Sequence, residues 1–146
     1  MENAVIRGVK RQPVRIGNHV LVGPHAHLSG CTIDDEVFIA TGASIFNGAH
    51  LEVGSTVRIN GIVHVRTRLP AGTKMPIGWI ALGDPAEILP PDREERIAEL
   101  LLERGFSKTA FGLEPSSTKE LTERYACALG KHRSDTVLQA GEIQQT

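Results

Sequence analysis

Three of the six histidines, His25, His27 and His64, are the residues of this chain best suited to bind a divalent metal ion. Imidazole nitrogen is a common zinc ligand, and three protein ligands leave a fourth position open for water or substrate. Alternate residues of an extended strand face the same side, so His27 is expected to share a face with Ser29. The three histidines are therefore a candidate site for zinc or another divalent metal.

The elements that position these histidines are predicted by a six-residue repeat. An aliphatic anchor returns at every sixth position, and an earlier run has the same spacing one residue out of phase: Ile33, Ile39, Ile45, Leu51, Val57, Val63, Leu69 and Met75, after Ile16, Val22 and Leu28. A small or β-branched residue follows four positions after each anchor: Val20, Ala26, Thr32, Val37, Ala43, Ala49, Ser55, Gly61, Thr67 and Thr73. This period fits neither an amphipathic helix nor hairpins, and it predicts an all-β solenoid, a parallel β-helix.

The repeat also predicts the domain organisation. Three complete coils are expected over residues 16–32, 33–50 and 51–68, and the first is one residue shorter than the others. We predict a β-helix over residues 1–89, followed over residues 90–146 by C-terminal α-helices and a polar tail.

Two serine- or aspartate-led segments resemble helix starts in that C-terminal region. Asp92 with Glu95 predicts the first helix, which Gly105 ends, and Ser117 with Glu120 predicts the second. The residues before Ile16 are interpreted as the remnant of a coil and a loop.

The coil geometry restricts how the histidines can meet. His64 follows the anchor Val63 two coils beyond Ser29, which is roughly 9.5 Å along the rod at a strand spacing of about 4.8 Å. Zinc lies only about 2.0–2.1 Å from a histidine nitrogen. His64 could therefore share a metal with His27 only across a subunit boundary, and His25 is expected at a coil corner.

The most informative runs are VLVGPHAHLSGCTIDDEVFIATGASIFNGA, at residues 20–49, and MPIGWIALGDPAEIL, at residues 75–89. With them, residues 14–89 resemble the γ-class carbonic anhydrase branch of the hexapeptide-repeat proteins. The resemblance implies a left-handed β-helix, a homotrimer of parallel rods, and zinc or another divalent metal held between subunits by three histidines. It also implies hydration of carbon dioxide by metal-bound hydroxide.

The chain departs from that pattern at the metal ligands. By resemblance, the three histidine positions fall on Arg7, Pro24 and Ser29. Proline cannot ligate a metal, arginine carries a fixed positive charge and serine is a poor zinc ligand. We therefore predict that the metal site is lost or moved to His25, His27 and His64, with zinc absent or substoichiometric and carbon dioxide hydration weak or absent.

Three functions remain open from the sequence. The first is an active metal-dependent carbonic anhydrase that uses the displaced histidines. The second is a hexapeptide-repeat acyltransferase, for which His50 or His64 would be the catalytic base. The third is a trimer without catalytic activity, which the vacated ligand positions favour.

Charge and cysteine content restrict partners and compartment. The net charge of −1 provides no basic field for nucleic acid or an anionic membrane, and no apolar run approaches the roughly 20 residues that span a bilayer. A small anion such as bicarbonate could bind a polar cluster of Arg58, Arg66, Arg68 and Asn60.

Cys31 and Cys127 are predicted to be buried, reduced thiols of a cytoplasmic protein.

A last expectation concerns the beginning of the chain. Related rods start with several more coils, whereas Met1 falls within a segment that resembles a strand and a corner. The sequence therefore predicts that this reading frame lacks its natural beginning, which would leave the apolar cross-section near Ile16 uncovered.

Overall fold

The computed structural model describes residues 1–9, 12–103, 105, 117–130 and 133 of the 146-residue chain. These residues form two compact units, Met1–Gly112 and Leu113–Thr146. The first unit is a left-handed parallel β-helix with an α-helix at its C-terminal end, as the sequence predicts.

Among the described residues, fourteen short strands build the three faces of the rod. The strands of the first face are β1 (Val5–Arg7), β4 (His27–Ser29), β7 (Ser44–Ile45), β10 (Ile62–Val63), β13 (Ile80–Leu82) and β14 (Glu87–Leu89). The strands of the second face are β2 (Arg15–Ile16), β5 (Thr32–Ile33), β8 (His50–Leu51) and β11 (Arg68–Leu69). The strands of the third face are β3 (Leu21–Val22), β6 (Phe38–Ile39), β9 (Thr56–Val57) and β12 (Lys74–Met75). All pairings are parallel except that of β13 with β14.

The predicted anchors form the core. Each lies in a strand and points into the rod, and from Leu28 to Met75 every anchor is at most 2% exposed. Parallel pairing stacks Leu28, Ile45 and Val63 on one another along the first face. A six-residue repeat therefore gives three aliphatic ladders, one for each face, because each residue meets its counterpart one coil later.

The first coil departs from the repeat at Thr32. Thr32 is half-buried because it is the outward residue of β5, and Cys31, 1% exposed, takes the inward position instead. The cause is the shortened first coil. Gly30 turns the chain with a φ of 50° one residue earlier than in the other coils, so the inward position moves back by one.

The corners show a second six-residue repeat that the anchors do not reveal. A residue with positive φ occurs at every sixth position: Glu36, Gly42, Gly48, Gly54, Asn60, Arg66, Gly72 and Gly78. Glycine adopts this left-handed conformation without steric cost, whereas a residue with a Cβ pays roughly 1–2 kcal/mol. Glu36, with a φ of 62°, therefore occupies a corner that favours glycine.

We expect Glu36→Gly to raise the free energy of unfolding by roughly 0.5–1 kcal/mol, since relief of the left-handed conformation exceeds the entropic cost of glycine. Urea denaturation measures the change. Glu36→Ala is the matched control, because it removes the carboxylate but keeps the Cβ, and it should leave stability within about 0.5 kcal/mol of the unmodified chain. A glycine variant less stable than the alanine variant would show that the corner is not strained.

The two cysteines lie in different environments. Cys31 is buried, and its burial raises the pKa of the thiol to about 11. Cys127 is exposed, so the prediction that it is buried is wrong.

In the native protein we expect Cys127 to react quickly with a water-soluble disulfide reagent and Cys31 to react slowly. The thiolate is the nucleophile, and Cys31 is both buried and raised in pKa. Absorbance of the released thiolate measures this. Cys127→Ser should abolish the fast phase, and both thiols should react in denaturant. A fast phase from Cys31 in the Cys127→Ser variant would show that the end of the rod opens readily.

The C-terminal end of the rod is covered by a strand and a helix. Helix α1 (Glu94–Glu103) packs against β13 and buries Leu100. The Arg96 guanidinium donates from Nε and Nη2 to the two carboxylate oxygens of Glu87 in β14, at 3.2 and 2.8 Å. This arginine holds the pKa of Glu87 below its usual range. The predicted helix start at Asp92 is early, since α1 begins at Glu94.

The N-terminal segment forms part of a coil, as the sequence predicts. Strand β1 pairs in parallel with β4, which places Val5 opposite His27 and Arg7 opposite Ser29. Ile6 and Ile16 are 51% and 42% exposed, because no strand among the described residues lies beyond β1 on the first face or beyond β2 on the second.

The second unit contains helix α2 (Thr118–Gly130). The Glu120 amide donates to the Ser117 hydroxyl at 3.2 Å, so the predicted start of this helix is confirmed. Tyr125 and Leu129, two of its predicted apolar residues, are 51% and 58% exposed. Most of the predicted polar tail lies outside the described residues. Over the described part of the chain, no helix is long and apolar enough to cross a membrane.

Candidate functional site

The outward positions of the first face hold most of the predicted site residues. Leu28 points into the rod, so its neighbours His27 and Ser29 point outward. The strand register then stacks the residues that follow each anchor into one outward column. The members of this column, in order along the rod, are Arg7, Ser29, Phe46 and His64.

Arg7 and Ser29 contact each other at the N-terminal end of this column. The Arg7 Nε donates a hydrogen bond to the Ser29 hydroxyl oxygen at 3.3 Å. Ser29 is 2% exposed, whereas Arg7 is exposed. Within the described residues Arg7 forms no ion pair, so its terminal nitrogens have no carboxylate partner there.

Phe46 separates the two histidines of the first face. Its ring lies 6.1 Å from the His27 ring and 5.8 Å from the His64 ring, centroid to centroid, and is tilted against both. Burial lowers the pKa of the half-buried His64. Because Phe46 lies between the two rings, His27 and His64 of one chain do not form a shared metal site among the described residues.

His25 lies at a corner, as the sequence predicts. Its φ is 57°, its side chain is exposed, and its backbone amide donates to the Glu2 carbonyl oxygen at 3.0 Å. Among the described residues, no three histidine, cysteine, aspartate or glutamate side chains are grouped so that they could hold a metal ion. A site formed by His25, His27 and His64 across subunits stays a prediction.

The residues at the positions implied for metal ligands do not fit a divalent cation. The guanidinium of Arg7 is positively charged at any pH at which proteins fold. It also donates to the Ser29 oxygen, which is the atom that would have to face the metal. Pro24 has no side-chain donor atom. The pair on β1 and β4 therefore suits a negatively charged ligand rather than a metal.

His50 lies on the second face of the rod. It is the first residue of β8, and its Nε2 lies 3.0 Å from the Oδ2 of Asp34. The two side chains are 40% and 39% exposed. One coil further, the Arg68 guanidinium pairs with Glu52 and holds the pKa of that carboxyl below its usual range. A carboxylate beside His50 can fix the tautomer and orientation of the imidazole.

The predicted polar cluster for a small anion is divided between two corners of the rod. Arg58 follows β9 on the third face, whereas Arg68 belongs to β11 on the second face and pairs with Glu52. Asn60 and Arg66 occupy two different corners, with φ of 55° and 51°. Arg58 and Asn60 therefore lie near one corner of the rod, and Arg66 and Arg68 lie near another.

The third face carries an apolar groove that the sequence analysis missed. Its volume is about 390 Å³, and its lining includes Leu21, Phe38, Ile59 and Ile77, with Arg58 among the other residues. These four apolar side chains are 41–60% exposed. The sequence does contain a sign of this groove. Leu21 and Phe38 precede anchors, and Ile59 and Ile77 lie at corners, which are outward positions where polar residues are usual.

Two curated relatives are similar to the hexapeptide region. Gamma carbonic anhydrase 1, mitochondrial, of Arabidopsis thaliana is 36% identical over 89 residues, which are 61% of this chain and 30% of that protein. Gamma carbonic anhydrase 2, mitochondrial, of the same plant is 37% identical over 60 residues, or 41% of this chain and 22% of that protein. The chain thus spans less than a third of the length of either relative, and no family model matches it.

Two solved structures match part of the chain at low TM-scores. A serine acetyltransferase complex with CoA has a TM-score of 0.40 at 19% identity, covering 52% of this chain and 39% of the other. A GDP-perosamine N-acetyl transferase from Caulobacter crescentus has a TM-score of 0.32 at 19% identity, covering 60% and 53%. At these scores neither structure bears on the chemistry of this chain.

The three faces of parallel strands and the aliphatic ladders with a six-residue repeat define a hexapeptide-repeat protein of the left-handed β-helix class. The sequence similarity to the two gamma carbonic anhydrases supports a γ-carbonic-anhydrase-like protein of this class.

Proposed function

We propose that this chain is a homotrimeric, γ-carbonic-anhydrase-like protein whose metal-dependent hydration of carbon dioxide has been lost. The contact between Arg7 and Ser29 is the observation that carries the proposal. It places a fixed positive charge and a hydroxyl where the family resemblance implies two metal-binding histidines.

The chemistry explains why this replacement abolishes hydration. A catalytic metal makes hydroxide available near neutral pH by lowering the pKa of its bound water. A guanidinium also attracts anions, but it has no vacant orbital to bind water and cannot lower the water pKa in this way. In a homotrimer the substitution occurs at every interface, so no copy can supply the missing ligands.

Exposed apolar surface supports self-association. The groove on the third face contains Phe38, Ile59 and Ile77, and on the first face Val5 is 47% exposed beside the strand of His27 and Ser29. Contiguous apolar patches on a folded chain often mark protein interfaces. We propose that a second copy covers both surfaces, and that the strand of His27 and Ser29 belongs to the contact.

Sedimentation tests the assembly. The unmodified chain should sediment as a trimer at micromolar concentration, and Ile59→Glu should shift it toward monomer, because a charge in an apolar contact is costly to bury. Leu102→Glu is the matched control, since Leu102 is 82% exposed on α1 and away from the groove. A monomeric unmodified chain would refute the trimer, and equal behaviour of the two variants would exclude the groove from its interface.

The activity is tested by stopped-flow measurement of carbon dioxide hydration after incubation with zinc or ferrous iron. We expect no rate above the buffer background. A metal-dependent rate that is lost in a His27→Ala and His64→Ala double variant would instead favour an active enzyme with displaced ligands.

Acyl transfer stays the alternative that the contact of Asp34 with His50 supports, because a positioned imidazole can act as a general base. Thiol release from an acetyl thioester that disappears in His50→Ala would favour it.

A cytoplasmic location remains part of the proposal, since both cysteines are free.

A further inference from the structure

The outward side chains of β1 and β4 are rich in hydrogen-bond donors and contain no carboxylate. The two strands present Val5, Arg7, His27 and Ser29 to the outside. The column continues through Phe46 and His64, which also carry no negative charge. The charge of Arg7 is therefore not neutralised along its own face of the rod.

Three other arginines bind carboxylates of the chain, whereas Arg15, Arg58, Arg66 and Arg93, like Arg7, form no ion pair among the described residues. Arg68 pairs with Glu52, Arg96 with Glu87 and Arg124 with Glu120. Each of these guanidinium groups holds a carboxylate from the chain itself. Within the described residues Arg7 has no such partner, although its Nε is held in place by the buried Ser29.

The hydrogen bond to Ser29 also determines which edge of the guanidinium is available. Since Nε donates to Ser29, the two terminal nitrogens are left to donate in parallel. Two parallel N–H donors match the two oxygens of a planar oxyanion such as a carboxylate or bicarbonate. His27, which faces outward on the neighbouring strand, can supply a further N–H donor.

We infer that Arg7, with Ser29 and His27, forms a binding site for a small planar oxyanion, either bicarbonate or a carboxylate. The inference rests on the proposed loss of the metal, because a divalent cation and the guanidinium of Arg7 exclude each other. The site keeps a positive charge at the position implied for the metal and binds the anion without activating water.

Titration of the metal-free protein with sodium bicarbonate and, separately, with sodium formate tests the site at constant ionic strength. The histidine ring resonances in proton NMR report binding. We expect saturable shifts of the His27 resonances with a Kd on the order of 1 mM for at least one of the two anions. Saturation with bicarbonate but not formate shows that the site binds bicarbonate, and saturation with formate but not bicarbonate shows that it binds a carboxylate.

Variants of Arg7 distinguish the contribution of its two parallel N–H donors from that of its positive charge. Arg7→Gln should weaken binding at least about tenfold, and Arg7→Lys should also weaken it, because lysine keeps the charge but loses the paired donors. Arg15→Gln is the matched control and should leave binding unchanged, since Arg15 is an exposed strand arginine whose pocket already contains Asp34 and Asp35.

Three results would overturn the inference. They are no saturable shift with either anion, equal affinity of the Arg7→Gln variant, and tighter binding of tetrahedral sulfate than of both planar anions. Metal analysis of the same sample distinguishes the two proposals. A stoichiometric metal refutes the proposed function, whereas a metal-free protein that binds neither anion refutes only the oxyanion site.

Discussion

A chain with the three substitutions Arg7→His, Pro24→His and Ser29→His is expected to bind about one zinc ion per chain, where the unmodified chain binds almost none. Positions 7 and 29 lie directly opposite each other on adjacent parallel strands, which suits two ligands of one metal. Position 24, at a corner before His25, would complete the site from a neighbouring copy. Zinc content after gel filtration at neutral pH measures the change.

The double variant Arg7→His and Ser29→His is the matched control for this gain. It restores only the two ligands that one chain contributes, so it should bind zinc far more weakly than the triple variant. A triple variant that is folded and trimeric but free of zinc would show that more than these three positions separates the chain from a metal-binding relative.

The second large effect is expected in the core. Ile45→Ala should lower the free energy of unfolding by about 3–4 kcal/mol, because Ile45 is 0% exposed and stacks between Leu28 and Val63. A gap in the middle of a ladder interrupts contacts with both neighbouring coils, and in a solenoid those are the contacts that hold coils together. Urea denaturation followed by circular dichroism measures the loss.

Val53→Ala is the matched control for the core substitution. Val53 is also β-branched and aliphatic, but it lies at a corner and is 47% exposed. Its truncation should cost less than about 1 kcal/mol. A loss of similar size at both positions would contradict the assignment of the anchors as the main source of stability.

The core could be predicted from sequence because its signal is strictly periodic. Each anchor from Leu28 to Met75 is buried, and the parallel register follows from the repeat. The first coil was harder to predict. Its missing residue moves the inward position from Thr32 to Cys31, and only the backbone at Gly30 shows where the shift occurs.

The side-chain contacts were less predictable, because neighbours in a solenoid are about one coil apart in sequence. Asp34 meets His50, and Glu52 meets Arg68, each 16 residues along the chain. Arg58, Arg66 and Arg68 look like a cluster in the sequence, yet residues eight or ten positions apart lie on different sides of the rod. Proximity in sequence is therefore a poor guide to a site in this fold.

The contact between Arg7 and Ser29 joins residues 22 positions apart. The family resemblance already placed both residues at implied metal-ligand positions, but not their mutual hydrogen bond or the burial of Ser29. The antiparallel strand β14 was also missed, since Glu87–Leu89 follows the solenoid repeat without continuing it.

The metal content of the unmodified protein tests the central claim most directly. The protein is to be produced with added zinc and iron, purified as the trimer without chelators, and analysed by plasma mass spectrometry before and after dialysis against a weak chelator. The loss of the ligands predicts less than about a tenth of an ion per chain after dialysis. One tightly held zinc or iron ion per chain, retained through dialysis and lost in a His27→Ala and His64→Ala double variant, would contradict the claim.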